Sequence, residues 1–392
     1  NLNSYFQSVA NSATLKALAT TAMLNRFSSF YYCIQPGVSG KAACNFRIVI
    51  QPQQEQKIPE PKWSFFADSA IHCGPYIFSS NNDISILFQD STKSLICLDG
   101  SGNVNWKTTI SGFINGGISQ TINDQSGVLQ FVCNTDDSMY MFNQKGVLPA
   151  RYPFKLPVQS LNGVIASPNA NVLFVTGKNN LLYAFDPGSR PSPNWNTIQL
   201  AGNLINASFD VSGRFVYIMD SEKLRLYSTE GKLILSKAST EFKLNSVQWL
   251  NDSVPSLSML NNDGKIVVWN VDGTYKIASS DSTFDIATTC GEGAERMWYA
   301  IKGKMLEKMD YTFKTIAKTD LSSVAFNDMQ LFDTGNEILC ILKDANNITI
   351  YRGDLKILPQ EISAVGFGVK VVQSKVYLIA RTANDKLVFY IL

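Results

Sequence analysis

Histidine is almost absent from this chain, because His72 is the only one among its 392 residues. A hydrolase that uses a serine or cysteine nucleophile with a histidine base would therefore depend on His72. The neighbouring Cys73 is a poor partner for it, since consecutive side chains on a strand point to opposite faces. Histidine-rich metal sites are excluded by count. We expect no catalytic residue, no bound metal and no cofactor.

Long apolar runs and an excess of one charge are also missing. No stretch approaches the roughly 20 apolar residues that span a bilayer, and 34 basic against 32 acidic residues leave a net charge of +2. We therefore expect no membrane span in this chain and no nucleic-acid partner. The seven cysteines include no CxxC pair, which argues against a zinc site or a disulfide framework. A hairpin would still bring Cys33 and Cys44 near each other.

A repeat of about forty residues is the main feature that is present. Apolar runs ending in a bulky side chain recur at steps of 39 to 44 residues. Their last bulky residues are Leu98, Phe142, Phe185, Tyr227, Trp269, Met309, Tyr351 and Tyr390. Eight such units, rich in β-branched and aromatic residues, are typical of four-stranded propeller blades. The sequence predicts an all-β, eight-bladed β-propeller, or seven blades if the unit with Glu307 and Lys308 inside its run is not one.

The ends of the repeat predict how the ring closes. Only two residues follow Tyr390, so the last unit lacks its outer strand. The segment Pro61 to Phe66 precedes the first unit and resembles the outer strands that carry Trp106 and Trp195. We expect this segment to complete the eighth blade, which would leave no unpaired sheet edge at the junction.

Residues 1–60 lie outside the repeat. Residues 8–26 are rich in Ala, Leu, Ser and Thr, which predicts a helix, and Ser29 to Ile34 with Asn45 to Ile50 predicts a hairpin before a Gln- and Pro-rich linker. A helix and one hairpin bury little core alone. We therefore expect the tail of an upstream domain or a pad docked on the propeller, and predict the domains 1–60 and 61–392.

A second periodic feature marks the start of each predicted innermost strand, where a polar residue follows an apolar one. The residues are His72, Asn115, Asn162, Asn206, Asn245, Asp285 and Asn327, and the eighth copy has Gly366. Innermost strands line the channel of a propeller, so these side chains are predicted to form a polar ring at one mouth. Such a ring either caps strand ends by bonding to backbone or contacts a ligand.

The residues favour a binding or scaffold propeller over an enzyme. A glycoside-active propeller would need paired carboxylates on neighbouring innermost strands, and Asp285 is the only acid in the ring, with no evident second carboxylate. A quinone-dependent dehydrogenase would need a vicinal cysteine pair, which is absent. Asp99 to Asn103 spaces oxygen donors as calcium loops do but reads as a hairpin turn. Trp269–Asn270 is similar to the WD40 dipeptide, which does not recur.

The stretch from about Ile84 to Leu235 resembles the C-terminal propeller of large Bacteroidetes proteins, which pair an N-terminal domain of unknown function with a quinoprotein-like, non-catalytic propeller. The matching phrases are Phe131 to Thr135, Met141 to Gly146, Tyr152 to Pro157 and Asn162–Gly163, and Ser28 to Pro52 resembles the end of that N-terminal domain. The resemblance implies an exported protein of the cell envelope or periplasm with a membrane anchor upstream of Asn1. It supplies no active site. For the binding propeller we expect a protein or glycan partner and a monomeric state.

Overall fold

A computed structural model provides the three-dimensional structure of this chain. It describes residues 27–36, 42–50, 60–80, 83–122, 129–168, 172–243, 246–250, 252, 254–278, 283–321, 326–358 and 361–392. The helix predicted for residues 8–26 lies outside this part of the chain. The chain divides into two compact units, Asn1–Lys57 and Ile58–Leu392.

The first unit contains a two-stranded antiparallel sheet of β1 (Phe27–Pro36) and β2 (Ala42–Ile50). It corresponds to the hairpin that the sequence predicts. In its register Cys33 pairs with Asn45 and Cys44 with Ile34, so the two cysteines are not directly opposite each other.

The second unit begins with β3 (Trp63–Phe66) and continues with four-stranded antiparallel sheets, each a propeller blade. Blade 1 holds β4 (Ile71–Ser80), β5 (Asp83–Asp90), β6 (Ser94–Asp99) and β7 (Val104–Thr109). Blade 2 holds β8 (Ser119–Ile122), β9 (Leu129–Asn134), β10 (Ser138–Asn143) and β11 (Phe154–Lys155). Blade 3 holds β12 (Ile165–Ala166), β13 (Leu173–Thr176), β14 (Leu181–Phe185) and β15 (Ile198–Gln199). Blade 4 holds β16 (Leu204–Phe209), β17 (Phe215–Asp220), β18 (Lys223–Ser228) and β19 (Leu233–Ala238).

The remaining blades follow the same order. Blade 5 holds β20 (Gln248–Leu250), β21 (Ser256–Leu260), β22 (Ile266–Asn270) and β23 (Tyr275–Ile277). Blade 6 holds β24 (Ile286–Cys290), β25 (Met297–Lys302), β26 (Met305–Met309) and β27 (Thr315–Asp320). Blade 7 holds β28 (Asp328–Asp333), β29 (Ile338–Lys343), β30 (Asn347–Tyr351) and β31 (Ile362–Ser363). Blade 8 holds β32 (Gly366–Val372), β33 (Lys375–Arg381) and β34 (Lys386–Ile391), with β3 as its outer strand. Short 3₁₀ turns at Ser239–Glu241 and Gly293–Glu295 are the helical elements of the described residues.

The closure predicted from the sequence is confirmed. Strand β3 pairs antiparallel with β34, Trp63 opposite Phe389 and Phe66 opposite Lys386. The Trp63 indole stacks on the Phe389 ring with centroids 4.8 Å apart and planes 9° from parallel. An offset stack of this kind adds to the burial of both rings. The residues before blade 1 therefore complete blade 8 and close the ring.

The eight-bladed prediction is also confirmed, and the seven-bladed alternative is wrong. Every apolar run that marks the repeat is the third strand of a blade, from β6 to β34. The doubtful sixth unit forms a complete sheet, in which Glu307 is buried and accepts from the Lys318 ammonium at 2.9 Å. A pairing lysine on the outer strand allows a carboxylate to lie inside this blade.

The hydrophobic core lies between the faces of neighbouring blades. One cluster joins Leu87 and Cys97 of blade 1 to Phe131 and Phe142 of blade 2. Another joins blade 1 to the closing blade 8 through residues such as Phe389. Each of these clusters is shared by two neighbouring blades, so the blades stabilise one another around the ring.

One strand position differs from the sequence interpretation. Residues 194–197 resemble an outer strand, but the outer strand of blade 3 is Ile198–Gln199. Trp195 lies in the turn before it, where the indole donates from Nε1 to the Thr229 carbonyl at 2.9 Å in the next blade. The tryptophan is placed by this contact between blades rather than by the strand ladder.

Candidate functional site

The starts of the innermost strands lie at one mouth of the propeller. These strands are β4, β8, β12, β16, β20, β24, β28 and β32, and several neighbours contact each other directly, among them β4 with β32 and β24 with β28. Gly366 begins β32, His72 and Asn206 lie within β4 and β16, and the other described ring positions precede their strands by one to four residues. The ring positions can therefore be compared blade by blade.

His72 and Cys73 of blade 1 differ in their exposure and in their chemical surroundings. His72 is exposed within an irregularity of β4, and its imidazole lies 4.3 Å from the Phe113 ring of blade 2. Burial raises the pKa of the Cys73 thiol above its ordinary value, and the Tyr76 side chain bonds to it. A thiol with a raised pKa is a poor nucleophile near neutral pH.

Asn115 and Asn162 lie in the same polar network between blades 2 and 3. The Asn115 side-chain amide donates to Asp136 Oδ1 and to Ser160 Oγ, each at 2.9 Å. The Asn134 amide, which is fully buried, donates to the Asn162 carbonyl at 3.2 Å and to Ser160 at 2.7 Å. These bonds tie the two blades together, which is the structural role that the sequence left open.

Asn206 and Asn245 are the next two ring positions. Asn206 is half-buried on β16 opposite Met219, and the register slips just before it. Asn245 lies outside the described residues. Within the described part of the chain, the Asn206 side chain makes no hydrogen bond on which a site can be built.

Asp285 and Asn327 both line a cavity of about 210 Å³ at the starts of β24 and β28. Both residues are exposed, and their backbone N–H groups donate to Ile301 and Lys343 at 2.8 Å. These bonds to the second strand of each blade fix the backbone, so both side chains are carried at the mouth. The cavity is a concave site at this mouth.

Blade 5 supplies the third wall of the cavity. Lys243 lines it and donates from Nζ to the Phe284 carbonyl at 2.7 Å. Ser246 Oγ donates to the Lys243 carbonyl at 2.6 Å and accepts from the Leu260 N–H at 2.9 Å. The Thr288 hydroxyl donates to Gln248 Oε1 at 2.8 Å, which bonds blade 6 to blade 5 across the cavity.

A second carboxylate lines the same cavity, which corrects the view that Asp285 has no evident acidic partner. Asp328 directly follows Asn327 and begins β28, on the innermost strand next to that of Asp285. The Asp285 carboxylate accepts from the Gly303 N–H at 2.8 Å, and Asp328 accepts from the Gln330 amide at 2.6 Å. The mouth therefore carries two carboxylates on neighbouring innermost strands.

Sequence reasoning missed Lys243, Gln248, Thr288 and Asp328 as lining residues. These four residues occupy different positions within their repeat units. The periodic pattern that identifies Asp285 and Asn327 therefore does not identify them. The doublet Asn327–Asp328 was the available signal, because it places a carboxylate directly after a predicted ring position.

Comparison with known proteins supports the fold alone. No family model matches this chain, and no curated protein matches it. Among solved structures, the chain is similar to BamB from Moraxella catarrhalis, at 11% sequence identity and a TM-score of 0.58 over 86% of this chain and 100% of that one. It also matches BBS1N, solved in complex with ARL6DN, at 10% identity and a TM-score of 0.47 over 86% of this chain and 97% of that one. The first likeness agrees with the β-propeller architecture.

Proposed function

We propose that this chain is a non-catalytic binding propeller that presents the cavity between blades 5, 6 and 7 to a partner protein. The proposal takes residues 61–392 as the propeller domain. The main support is that Asp285 and Asn327, two residues of the predicted polar ring, line one cavity at the mouth. Their backbones are held by strand bonds, while their side chains are exposed.

The size of the cavity favours a protein partner. Sites for drug-sized molecules and cofactors usually enclose about 300 to 1,000 Å³, whereas this cavity holds about 210 Å³. That volume accommodates one projecting side chain or one sugar ring. A partner that inserts one side chain would gain the rest of its contact area from the surrounding loops, as protein interfaces do around a central anchor.

The test is a capture experiment with a matched pair of variants. Asn327→Phe fills the mouth of the cavity, and Asn336→Phe places the same side chain in the exposed turn at the other end of β28. Proteins retained from the native source by the unaltered chain are expected to be lost with Asn327→Phe and kept with Asn336→Phe. Equal retention by both variants would contradict the proposal.

A glycoside-active propeller is the second candidate, and the pair Asp285 and Asp328 favours it. Retaining and inverting glycosidases both use two carboxyl groups that flank the scissile bond. Here two carboxylates from neighbouring innermost strands line one cavity. The test is a panel of aryl glycosides assayed with the unaltered chain and with Asp285→Asn. Hydrolysis by the unaltered chain that Asp285→Asn abolishes would contradict the binding proposal and support the glycosidase.

We also propose that the protein works in the cell envelope, on the resemblance of residues 84–235 to envelope propellers. Among the described residues, no helix has the length and apolar character to cross a membrane. Fractionation of the native host is the test: recovery with the cytoplasmic fraction would contradict this placement.

A further inference from the structure

We infer that the cavity between blades 5, 6 and 7 receives a cationic side chain, an arginine above all, from the partner protein. This inference rests on the proposed function and adds the chemical class of the group that enters the cavity. It follows from the charges that line the cavity and from the bonds that already occupy them.

Neither carboxylate of the cavity has an ion-pair partner in the described part of the chain. Among the residues that the structure describes, neither Asp285 nor Asp328 has a lysine or arginine nitrogen within 4.0 Å. Each carboxylate uses Oδ2 to accept one hydrogen bond, from the Gly303 N–H and the Gln330 amide respectively. The second oxygen of each has no donor in the described part of the chain and is left for a ligand.

Lys243, the cation that lines the cavity, already binds a backbone carbonyl. Lys243 Nζ donates to the Phe284 carbonyl at 2.7 Å, a bond that anchors blade 5 to blade 6. The charge at the cavity is therefore one ammonium bound to backbone against two carboxylates, with the exposed amide of Asn327 beside them. The lining is therefore net negative, so a cation is favoured over an anion and donates charge-assisted hydrogen bonds to the carboxylates.

The shape of the site selects among cations. A guanidinium carries five donors in a plane and an apolar stem, and the cavity is lined by Asp285, Asn327 and Asp328 together with the apolar residues Val247, Ala287 and Met329. A volume of about 210 Å³ suits one such side chain. The partner is therefore expected to project an arginine from an exposed loop or an extended segment.

The direct test measures binding of two small probes by ligand-observed NMR. N-acetyl-arginine methylamide carries the cation, and N-acetyl-citrulline methylamide has the same shape without the charge. The unaltered chain is expected to bind the arginine probe at least tenfold more tightly than the citrulline probe. Equal binding of the two probes would overturn the inference.

Substitutions test whether the preference for the arginine probe arises at the cavity. The double variant Asp285→Asn, Asp328→Asn keeps the shape of both side chains and removes both charges, so arginine-probe binding is expected to fall at least tenfold. Asp333→Asn, at the exposed far end of β28, is the control and is expected to bind as the unaltered chain does. An unchanged affinity in the double variant, with thermal unfolding showing that it is folded, would overturn the inference.

Partner capture separates the failure of this inference from the failure of the proposed function. Loss of the partner in both Asn327→Phe and the double variant supports both. Loss in Asn327→Phe with full retention in the double variant keeps the binding function and overturns the cationic side chain. Retention in both overturns both. Probe binding to the unaltered chain with capture unaffected by the double variant would indicate a free cationic molecule and would likewise overturn the inference.

Discussion

Two parts of the ring join their blades by different contacts. From blade 8 through blade 4, an aromatic side chain near each outer strand donates to a carbonyl of the next blade. The pairs are Trp63 to Gly100, Trp106 to Gln144, Tyr152 to Pro187 and Trp195 to Thr229, at 2.9 to 3.1 Å. Three of the four are indoles, which combine a large apolar contact with a directed bond.

Beyond blade 4 the contacts of the outer strands change, although the Trp249 indole of the innermost strand of blade 5 donates to the Ser208 carbonyl of blade 4 at 3.1 Å. Leu235 of blade 4 packs near Gly273 of blade 5, and the Lys237 ammonium lies 5.3 Å from the Tyr275 ring centroid. Between blades 6 and 7, Lys308 Nζ donates to the Gly353 carbonyl at 2.6 Å. A lysine or leucine reaches the next blade but covers less of it than an indole does.

The difference concerns the outer strands. The cavity lies between blades 5, 6 and 7, where no aromatic side chain of a described outer strand donates to the next blade, although Phe284 and Trp298 pack in the core there. We expect the aromatic joints to carry stability and the other joints to carry binding.

The largest expected effect is at an aromatic joint. Trp195 is 7% exposed and contacts Phe174 and Tyr227. Trp195→Ala is expected to cost about 3 to 5 kcal/mol of unfolding free energy, as for other buried aromatics. Leu235→Ala, at the joint of blades 4 and 5, is half-buried and is expected to cost about 1 to 2 kcal/mol. Denaturant titration measures both, and equal losses would break the comparison.

Alanine substitutions at two glycines test how much the tight packing of an indole contributes to the stability of a joint. Gly146 has φ +75° and an added Cβ would lie 2.6 Å from the Trp106 ring, whereas Gly273 has φ +91° and the nearest atom would be the Leu235 Cδ2 at 3.3 Å. Alanine at either position costs about 1 to 2 kcal/mol for the left-handed backbone. We expect Gly146→Ala to cost about 1 to 3 kcal/mol more, because the indole has to move. Equal midpoints in urea unfolding would count against the tight aromatic joint.

A smaller effect is expected at the lysine joint. Lys308→Met keeps most of the side-chain stem but removes the hydrogen bond to the Gly353 carbonyl. The loss is expected to be about 1 kcal/mol, the usual worth of such a bond. Differential scanning calorimetry against the unaltered chain measures it. A loss as large as that of Trp195→Ala would show that the two kinds of joint are equivalent.

The smallest expected effect on stability is at the cavity itself. Asn327→Phe and Asn336→Phe alter exposed side chains and are each expected to change the unfolding free energy by about 0.5 kcal/mol or less. Thermal unfolding of both variants is the measurement. A clear destabilisation by Asn327→Phe alone would mean that Asn327 supports the ring instead of lining a binding site.

The repeat could be predicted from the sequence because strand length, turn residues and apolar runs are local properties that recur in every blade. The closing strand was predictable for the same reason, since Trp63 stands in the same kind of segment as Trp106. The polar ring was predictable as a series of positions. The role of each member was not, because Asn115 bonds to Asp136 and Ser160 from other segments of the chain.

The sequence by itself determined the blade and the segment that completes the last copy, since each follows from a pattern within about forty residues. It predicted eight copies, and the tertiary structure decided that the sixth is a blade, since its strands pair into a complete sheet. Tertiary structure alone decided that Asp285 and Asp328 share a cavity while Lys243 is bound to a backbone carbonyl. Those residues come from three blades and lie up to 85 positions apart, from 243 to 328. Only the closed ring brings such distant side chains together, and so only the ring decides which charges remain for a partner.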